Sequence, residues 1–103
     1  MRIIFAFAAL AASSLARPAF AADAKAGEAV YMKACKMCHG ADGHGNAALA
    51  KSLNVTMPDL ASASDASIKT AIVSGKGKMK PVSSVAEKDI PDLIAFIRTL
   101  PKR

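Results

Sequence analysis

The chain has 103 residues, a formal net charge of +6, two cysteines, two histidines and no tryptophan. This length suits one domain, and the sequence has no internal repeat or long low-complexity segment that would indicate more. The basic residues form no run with interleaved aromatic residues, so the positive charge does not indicate nucleic-acid binding. Strand patterns are almost absent while helical periodicity recurs, which predicts an all-α protein.

Residues 1–21 have the pattern of a secretory signal peptide. Arg2 supplies the positive start, residues 3–15 are apolar or small, and Ala19-Phe20-Ala21 forms a cleavage site. We therefore expect a periplasmic domain of residues 22–103 with no membrane segment after cleavage; an uncleaved anchor is the alternative. Removing 21 of 103 residues leaves 82, which is near the lower limit for a self-sufficient core. A bound apolar cofactor would supply the missing volume.

The first predicted helix begins after Asp23 and runs into Cys35-Lys36-Met37-Cys38-His39. This C-x-x-C-H pattern is the attachment signature for c-type haem. Cysteines one helical turn apart can both form thioethers with the vinyl groups on one haem edge, and the adjacent histidine can bind the iron. We predict one covalent haem c, with Cys35 and Cys38 as attachment points and His39 as an iron ligand.

Three other uses of this cysteine pair agree less well with the sequence. A disulfide between them would close a tiny loop and add little stability. A zinc site needs about four ligands, and the available set is spaced too closely for the usual tetrahedral geometry. That set is Cys35, Cys38, His39 and His44. A thioredoxin-like pair should lie near a βαβ pattern, which the flanking sequence does not show.

The residues after the motif predict a loop, a short helix and an extended segment. Glycines between residues 40 and 45 indicate the loop, in which His44 has no assigned role and is expected to lie in solvent. A short helix is predicted over residues 47–53. Met57-Pro58-Asp59-Leu60 is predicted to be extended or turn-like, because proline restricts the residue before it.

Two further helices are predicted towards the C-terminus. Asp65 is expected to cap the first, which ends at Gly75 before a basic, glycine-containing loop over residues 75–82. Ser84-Val85-Ala86-Glu87 has the spacing of a capping box. The last helix is predicted to begin or kink near Pro91 and to end at about Leu100.

A second iron ligand is predicted in the basic loop. A haem bound only through His39 would leave its other face open to oxygen or peroxide, and a methionine can close that face. Met57 suits core packing, whereas Met79 lies in Gly75-Lys76-Gly77-Lys78-Met79-Lys80-Pro81. The glycines allow close approach to a ring, and the flanking lysines are hard to reconcile with an ordinary core position. Met79 is therefore the predicted second ligand.

The order of these segments resembles that of small bacterial class I c-type cytochromes over nearly all of residues 22–103. The motifs that carry the resemblance are C-K-M-C-H-G and G-K-G-K-M at this spacing. The resemblance implies a compact all-α fold of three to five short helices around one haem, with His39 and Met79 as axial ligands. It implies that the first and last helices cross. The matching residues are Gly27, Tyr31, Leu93 and Phe96. It also implies that the Pro58 carbonyl accepts a hydrogen bond from His39.

These features predict a one-electron carrier rather than an enzyme, because an iron bound by His39 and Met79 has no open position for substrate. Two other functions stay open. One is a cytochrome subunit of a larger periplasmic dehydrogenase or oxidase complex, and the other is a five-coordinate, peroxidase-like haem protein. We expect a monomer with a positive rim that attracts redox proteins with acidic docking surfaces, although lysines also simply solvate loops. The rim residues are Lys36, Lys76, Lys78 and Lys80.

Overall fold

The computed structural model describes residues 22–103, so the predicted signal peptide and its cleavage site lie outside the described residues. The α-helices are α1 (Ala24–Ala34), α2 (Lys36–His39), α3 (Ala47–Leu53), α4 (Asp65–Ser74) and α5 (Ile90–Ile97). Two short 3-10 helices lie at Leu60–Ser62 and Glu87–Asp89. Residues 22–103 contain no strand. The predicted compact all-α fold of three to five short helices is therefore confirmed.

The start of α1 agrees with the sequence. Asp23 has extended backbone, and its Oδ1 accepts hydrogen bonds from the backbone N–H groups of Lys25 at 3.0 Å and Ala26 at 3.3 Å. These bonds satisfy two of the N–H groups that a helix start leaves without partners. The backbone N–H of Asp23 itself donates to Asp92 Oδ1 at 2.8 Å. The cap of α1 is thus also joined to the first turn of α5.

The crossing of α1 and α5 is built around a glycine. A β-carbon placed on Gly27 would lie 1.9 Å from the Asp92 carbonyl oxygen, so only a glycine lets the two helices approach this closely. One turn further along α1, the ring of Tyr31 lies 5.2 Å from the ring of Phe96 with a tilt of 53°. Tyr31 and Leu93 are fully buried in this contact region. The predicted crossing of the first and last helices is confirmed.

The start of α4 corrects one prediction. Ser64 rather than Asp65 caps this helix, because Ser64 Oγ accepts a hydrogen bond from the backbone N–H of Ser67 at 3.1 Å. Asp65 is the first helical residue, where its carboxylate interacts favourably with the helix dipole. The predicted end at Gly75 is confirmed, since its N–H donates to the Ala71 carbonyl at 3.0 Å.

A proline lies near each end of α5. The capping box predicted at Ser84-Val85-Ala86-Glu87 is not used, because a 3-10 helix begins at Glu87 without a side-chain cap. Pro91 lies in the first turn of α5, where its missing N–H breaks no helical hydrogen bond, as the sequence predicts. Regular helix ends at Ile97 rather than at about Leu100. Beyond Ile97 the bonds join residues three apart, since the Thr99 N–H donates to the Phe96 carbonyl at 2.9 Å and the Leu100 N–H to the Ile97 carbonyl at 3.1 Å. Pro101 has no N–H with which to continue the helix.

The hydrophobic core lies where α1, α4 and α5 meet. Its buried residues are Tyr31, Leu60, Ile68, Ile72, Val85, Ile90, Leu93 and Ile97. The partly buried side chain of Cys35 packs against this cluster, so the core fixes the end of α1 at which Cys35 lies. None of the helices described in residues 22–103 is long and apolar enough to cross a membrane.

Candidate haem-binding site

The predicted attachment residues lie at the joint between α1 and α2. Cys35 lies between α1 and α2 and caps both, with φ −120° and ψ −35°, while Cys38 and His39 belong to α2. The backbone N–H of His39 donates to the Cys35 carbonyl at 3.0 Å, which closes one helical turn between them. Residues three and four apart on a helix share a face, so this turn places Cys35 beside both Cys38 and His39.

The two cysteines are free thiols in different surroundings, Cys35 being partly buried and Cys38 exposed. Burial, and then the nearby Cys38 charge, raises the pKa of Cys35 to about 11. Cys35 is therefore a protonated thiol at neutral pH. Within residues 22–103 no group of three or more His, Cys, Asp or Glu side chains could hold a bare metal ion. The structure thus gives the zinc alternative no support.

His39 is a buried imidazole, 9% exposed. Burial lowers the pKa of His39 below its ordinary value of 6.5, so the ring is neutral near pH 7. Its Nδ1 is buried and has no hydrogen-bond partner among the described residues. A neutral imidazole can donate a lone pair to a metal, whereas an imidazolium cannot. The ring therefore has the protonation state that an iron ligand needs.

The hydrogen bond from His39 to the Pro58 carbonyl stays a prediction. Pro58 is exposed in the extended segment between α3 and the 3-10 helix at Leu60–Ser62. In the part of the chain that the structure describes, His39 Nδ1 makes no bond to this carbonyl. The segment is nevertheless joined to the glycine loop, because the backbone N–H of Leu60 donates to the Gly43 carbonyl at 3.2 Å.

Hydrogen bonds to main-chain carbonyls hold the end of α2. The Tyr31 hydroxyl donates to the Gly40 carbonyl at 2.5 Å, and burial is the main reason that the pKa of Tyr31 is raised to about 12. Gly40 has a φ of +77°, in the left-handed region that favours glycine. The backbone N–H of Gly45 donates to the His39 carbonyl at 2.7 Å. The backbone around the predicted iron ligand is thereby fixed on both sides.

Asn46 is a positioning residue that sequence reasoning missed. Its backbone N–H donates to the Cys38 carbonyl at 2.8 Å, and its side-chain Nδ2 donates to the Met37 carbonyl at 3.2 Å. Its Oδ1 accepts a hydrogen bond from the backbone N–H of Leu49 at 3.2 Å, which caps α3. An asparagine just before the predicted helix over residues 47–53 was the available sequence signal.

Met79 lies in a tight turn after α4. The backbones of Lys76 and Met79 exchange two hydrogen bonds of 2.9 Å, which leaves Gly77 and Lys78 at the centre of the turn. Gly77 has a φ of +56°, as glycine does at the first central position of hairpin turns. A β-carbon on Gly75 would lie 2.7 Å from the Met79 carbonyl oxygen, so this glycine permits the turn to pack closely. The Met79 side chain is partly buried.

The expectation that His44 lies free in solvent is wrong. Its Nε2 lies 2.7 Å from the Pro101 carbonyl oxygen, and its Nδ1 lies 3.2 Å from Asp42 Oδ2. The Arg103 guanidinium donates to the His44 carbonyl. These contacts hold the end of the chain against the glycine loop. Local sequence patterns could not show this, because 57 residues separate His44 from Pro101.

The donor set at the joint of α1 and α2 suits a c-type haem. Two free thiols one turn apart match two vinyl groups, and a buried, neutral imidazole beside them matches an iron ligand. The family described as cytochrome C oxidase, cbb3-type, subunit III has a model that matches residues 22–97. No curated protein sequence matches the chain. The matched range contains all five predicted site residues.

Proposed function

Because this chain belongs to the family described as cytochrome C oxidase, cbb3-type, subunit III, a family of c-type cytochromes, we propose that it is an exported one-electron carrier. Membership makes the chain a haem-containing electron-transfer protein. The finer proposal is that Cys35 and Cys38 hold one covalent haem, while His39 and Met79 bind its iron from opposite faces. The buried, neutral imidazole of His39 beside two free thiols supports this proposal most strongly.

The bound haem supplies the one-electron chemistry. The protein supplies ligands of fixed position: α2 and the bonds to Gly40 and Gly45 hold the His39 side, and the tight turn at Lys76–Met79 holds the other. A thioether ligand is soft and favours the ferrous state, which raises the reduction potential relative to two histidine ligands. His39 and Met79 together would leave substrate no open position on the iron.

An optical spectrum of the purified oxidised and reduced protein, with an intact mass, tests the proposal. We expect a mass equal to residues 22–103 plus one haem, and the spectrum of a low-spin iron with six ligands. A high-spin ferric spectrum at neutral pH would instead favour the peroxidase-like alternative. A mass without haem, from cells able to attach it, would contradict covalent attachment.

The second candidate is a fixed cytochrome subunit of an exported oxidase complex. The family favours it, since its description names a subunit of an oxidase. Met37, which is 80% exposed within the attachment motif, is an apolar side chain that a permanent partner would cover. Purification from native membranes and soluble fractions separates the two candidates, because a fixed subunit stays with its complex while a carrier is recovered alone.

The basic loop is proposed to attract acidic redox partners. Lys76, Lys78 and Lys80 are all exposed beside Met79, but Lys78 also makes a bond within the protein, so we confine the test to the other two. Replacing Lys76 and Lys80 with glutamine should slow electron transfer to an acidic partner severalfold at low salt and little at high salt. K25Q is the control, since Lys25 lies at the start of α1, about 15 Å from Cys35 along the helix.

Stopped-flow electron transfer at several ionic strengths provides the measurement. Equal rates for the double variant, K25Q and the unchanged protein at low salt would show that the loop lysines only solvate the loop.

A further inference from the structure

We propose that α3 fixes the distance between the attachment motif, Cys35–His39, and the loop that carries Met79. Lys78 is the positioning residue at the C-terminal end of α3. This inference rests on the proposed function, because it assumes that Met79 binds iron. It concerns how the protein sets the position of Met79 relative to the attachment motif.

The near end of α3 is bound to the attachment motif. Asn46 caps α3 through its Oδ1, and its backbone N–H and side-chain Nδ2 both donate to carbonyls of the attachment motif. Its backbone N–H reaches the Cys38 carbonyl at 2.8 Å and its Nδ2 reaches the Met37 carbonyl at 3.2 Å. One residue therefore both begins α3 and ties it to the turn that carries the two cysteines.

The far end of α3 is bound to the loop that carries Met79. The seven residues of α3 span about 10 Å, and the helix ends at Asn54 with a left-handed φ of 53°. The Leu53 carbonyl is one of the last carbonyls of the helix and has no partner inside it. It accepts a hydrogen bond from Lys78 Nζ. A cation at this position also interacts favourably with the negative end of the helix dipole.

Because Lys78 and Met79 share one tight turn, the bond from Lys78 to α3 also fixes the position of Met79. Lys78 and Met79 are neighbours in the chain, and the paired backbone bonds between Lys76 and Met79 leave the turn little freedom. Among residues 22–103, the side chains of Lys76 and Lys80 make no comparable bond to α3. The three loop lysines therefore have different roles, although they look equivalent in the sequence.

Imidazole binding to the ferric holoprotein tests the inference, because imidazole competes with Met79 for the same side of the iron. K78A removes the donor and adds no iron ligand, so Met79 should be displaced more easily. We expect K78A to bind imidazole about five- to tenfold more tightly than the unchanged protein. K76A and K80A are matched controls that should bind it as the unchanged protein does. K78R, which keeps a cation of similar reach, should restore the original affinity.

A second variant covers the case in which K78A does not fold. N46D keeps the oxygen that caps α3 and removes the Nδ2 donor to Met37, and we expect it to bind imidazole about two- to fivefold more tightly. If K78A, or N46D in its place, binds imidazole with the affinity of K76A and K80A, the proposed role of α3 is wrong. If the unchanged ferric protein lacks the weak red absorption band of methionine-bound haem, the proposed function fails instead.

Discussion

Replacing Gly27 with alanine is expected to lower the free energy of unfolding by about 2 kcal/mol. The new methyl group would lie 1.9 Å from the Asp92 carbonyl oxygen, so α1 and α5 would have to move apart, at about 3 kcal/mol for overpacking of this kind. Alanine's better helix propensity offsets about 1 kcal/mol of that loss. Urea unfolding of the holoprotein, followed by far-ultraviolet circular dichroism, measures the net change.

The control for Gly27 lies two residues further along α1. Ala29 is exposed, so A29G should lose about 1 kcal/mol through helix propensity alone. Alanine should therefore be the better residue at position 29 and glycine the better residue at position 27. A G27A variant as stable as the unchanged protein would mean that the helices do not approach as closely as described.

Replacing Met79 with alanine is expected to open one side of the iron while leaving the haem attached. The ferric protein should lose its red methionine band and become high-spin, since alanine supplies no ligand. The reduction potential should fall by about 0.1 V or more, because the thioether that favours ferrous iron is gone. Intact mass should still show one haem, because Cys35 and Cys38 are unchanged.

M57A is the matched control for this prediction. Met57 is also partly buried, but it packs against Gly45, where a β-carbon would lie 2.5 Å from the Met57 Cβ. M57A should therefore keep the low-spin spectrum and the potential, and lose only stability. Redox titration with parallel spectra compares the two variants. A loss of the methionine band in M57A but not in M79A would reassign the ligand.

Local signals in the sequence were sufficient for most of the helices. The carboxylate of Asp23, the proline at position 91 and the glycine at position 75 each act within one turn of the helix that they limit. The choice between Ser64 and Asp65 as a cap could not be made in the same way. Both residue types are good N-caps, and the local sequence does not show which of the two keeps the extended backbone of a cap. In the structure that residue is Ser64.

The contacts around the site were less predictable because they join distant segments. The bond between Lys78 and the Leu53 carbonyl, and the contact between His44 and the Pro101 carbonyl, depend on how loops fold over the core. No rule based on periodicity or spacing predicts such contacts. The C-x-x-C-H motif can be recognised in the sequence because it is confined to five consecutive residues.

The packing of α1 against α5 has a consequence for how the protein is made. Gly27 and Tyr31 are covered by Asp92, Leu93 and Phe96, which lie near the opposite end of the chain. An N-terminal fragment that stops before α5 would therefore leave the largest aromatic side chain of the core exposed to water. The partly buried Cys35 packs against the same core cluster. We therefore expect this cluster to be complete only after residues 90–97 have joined it.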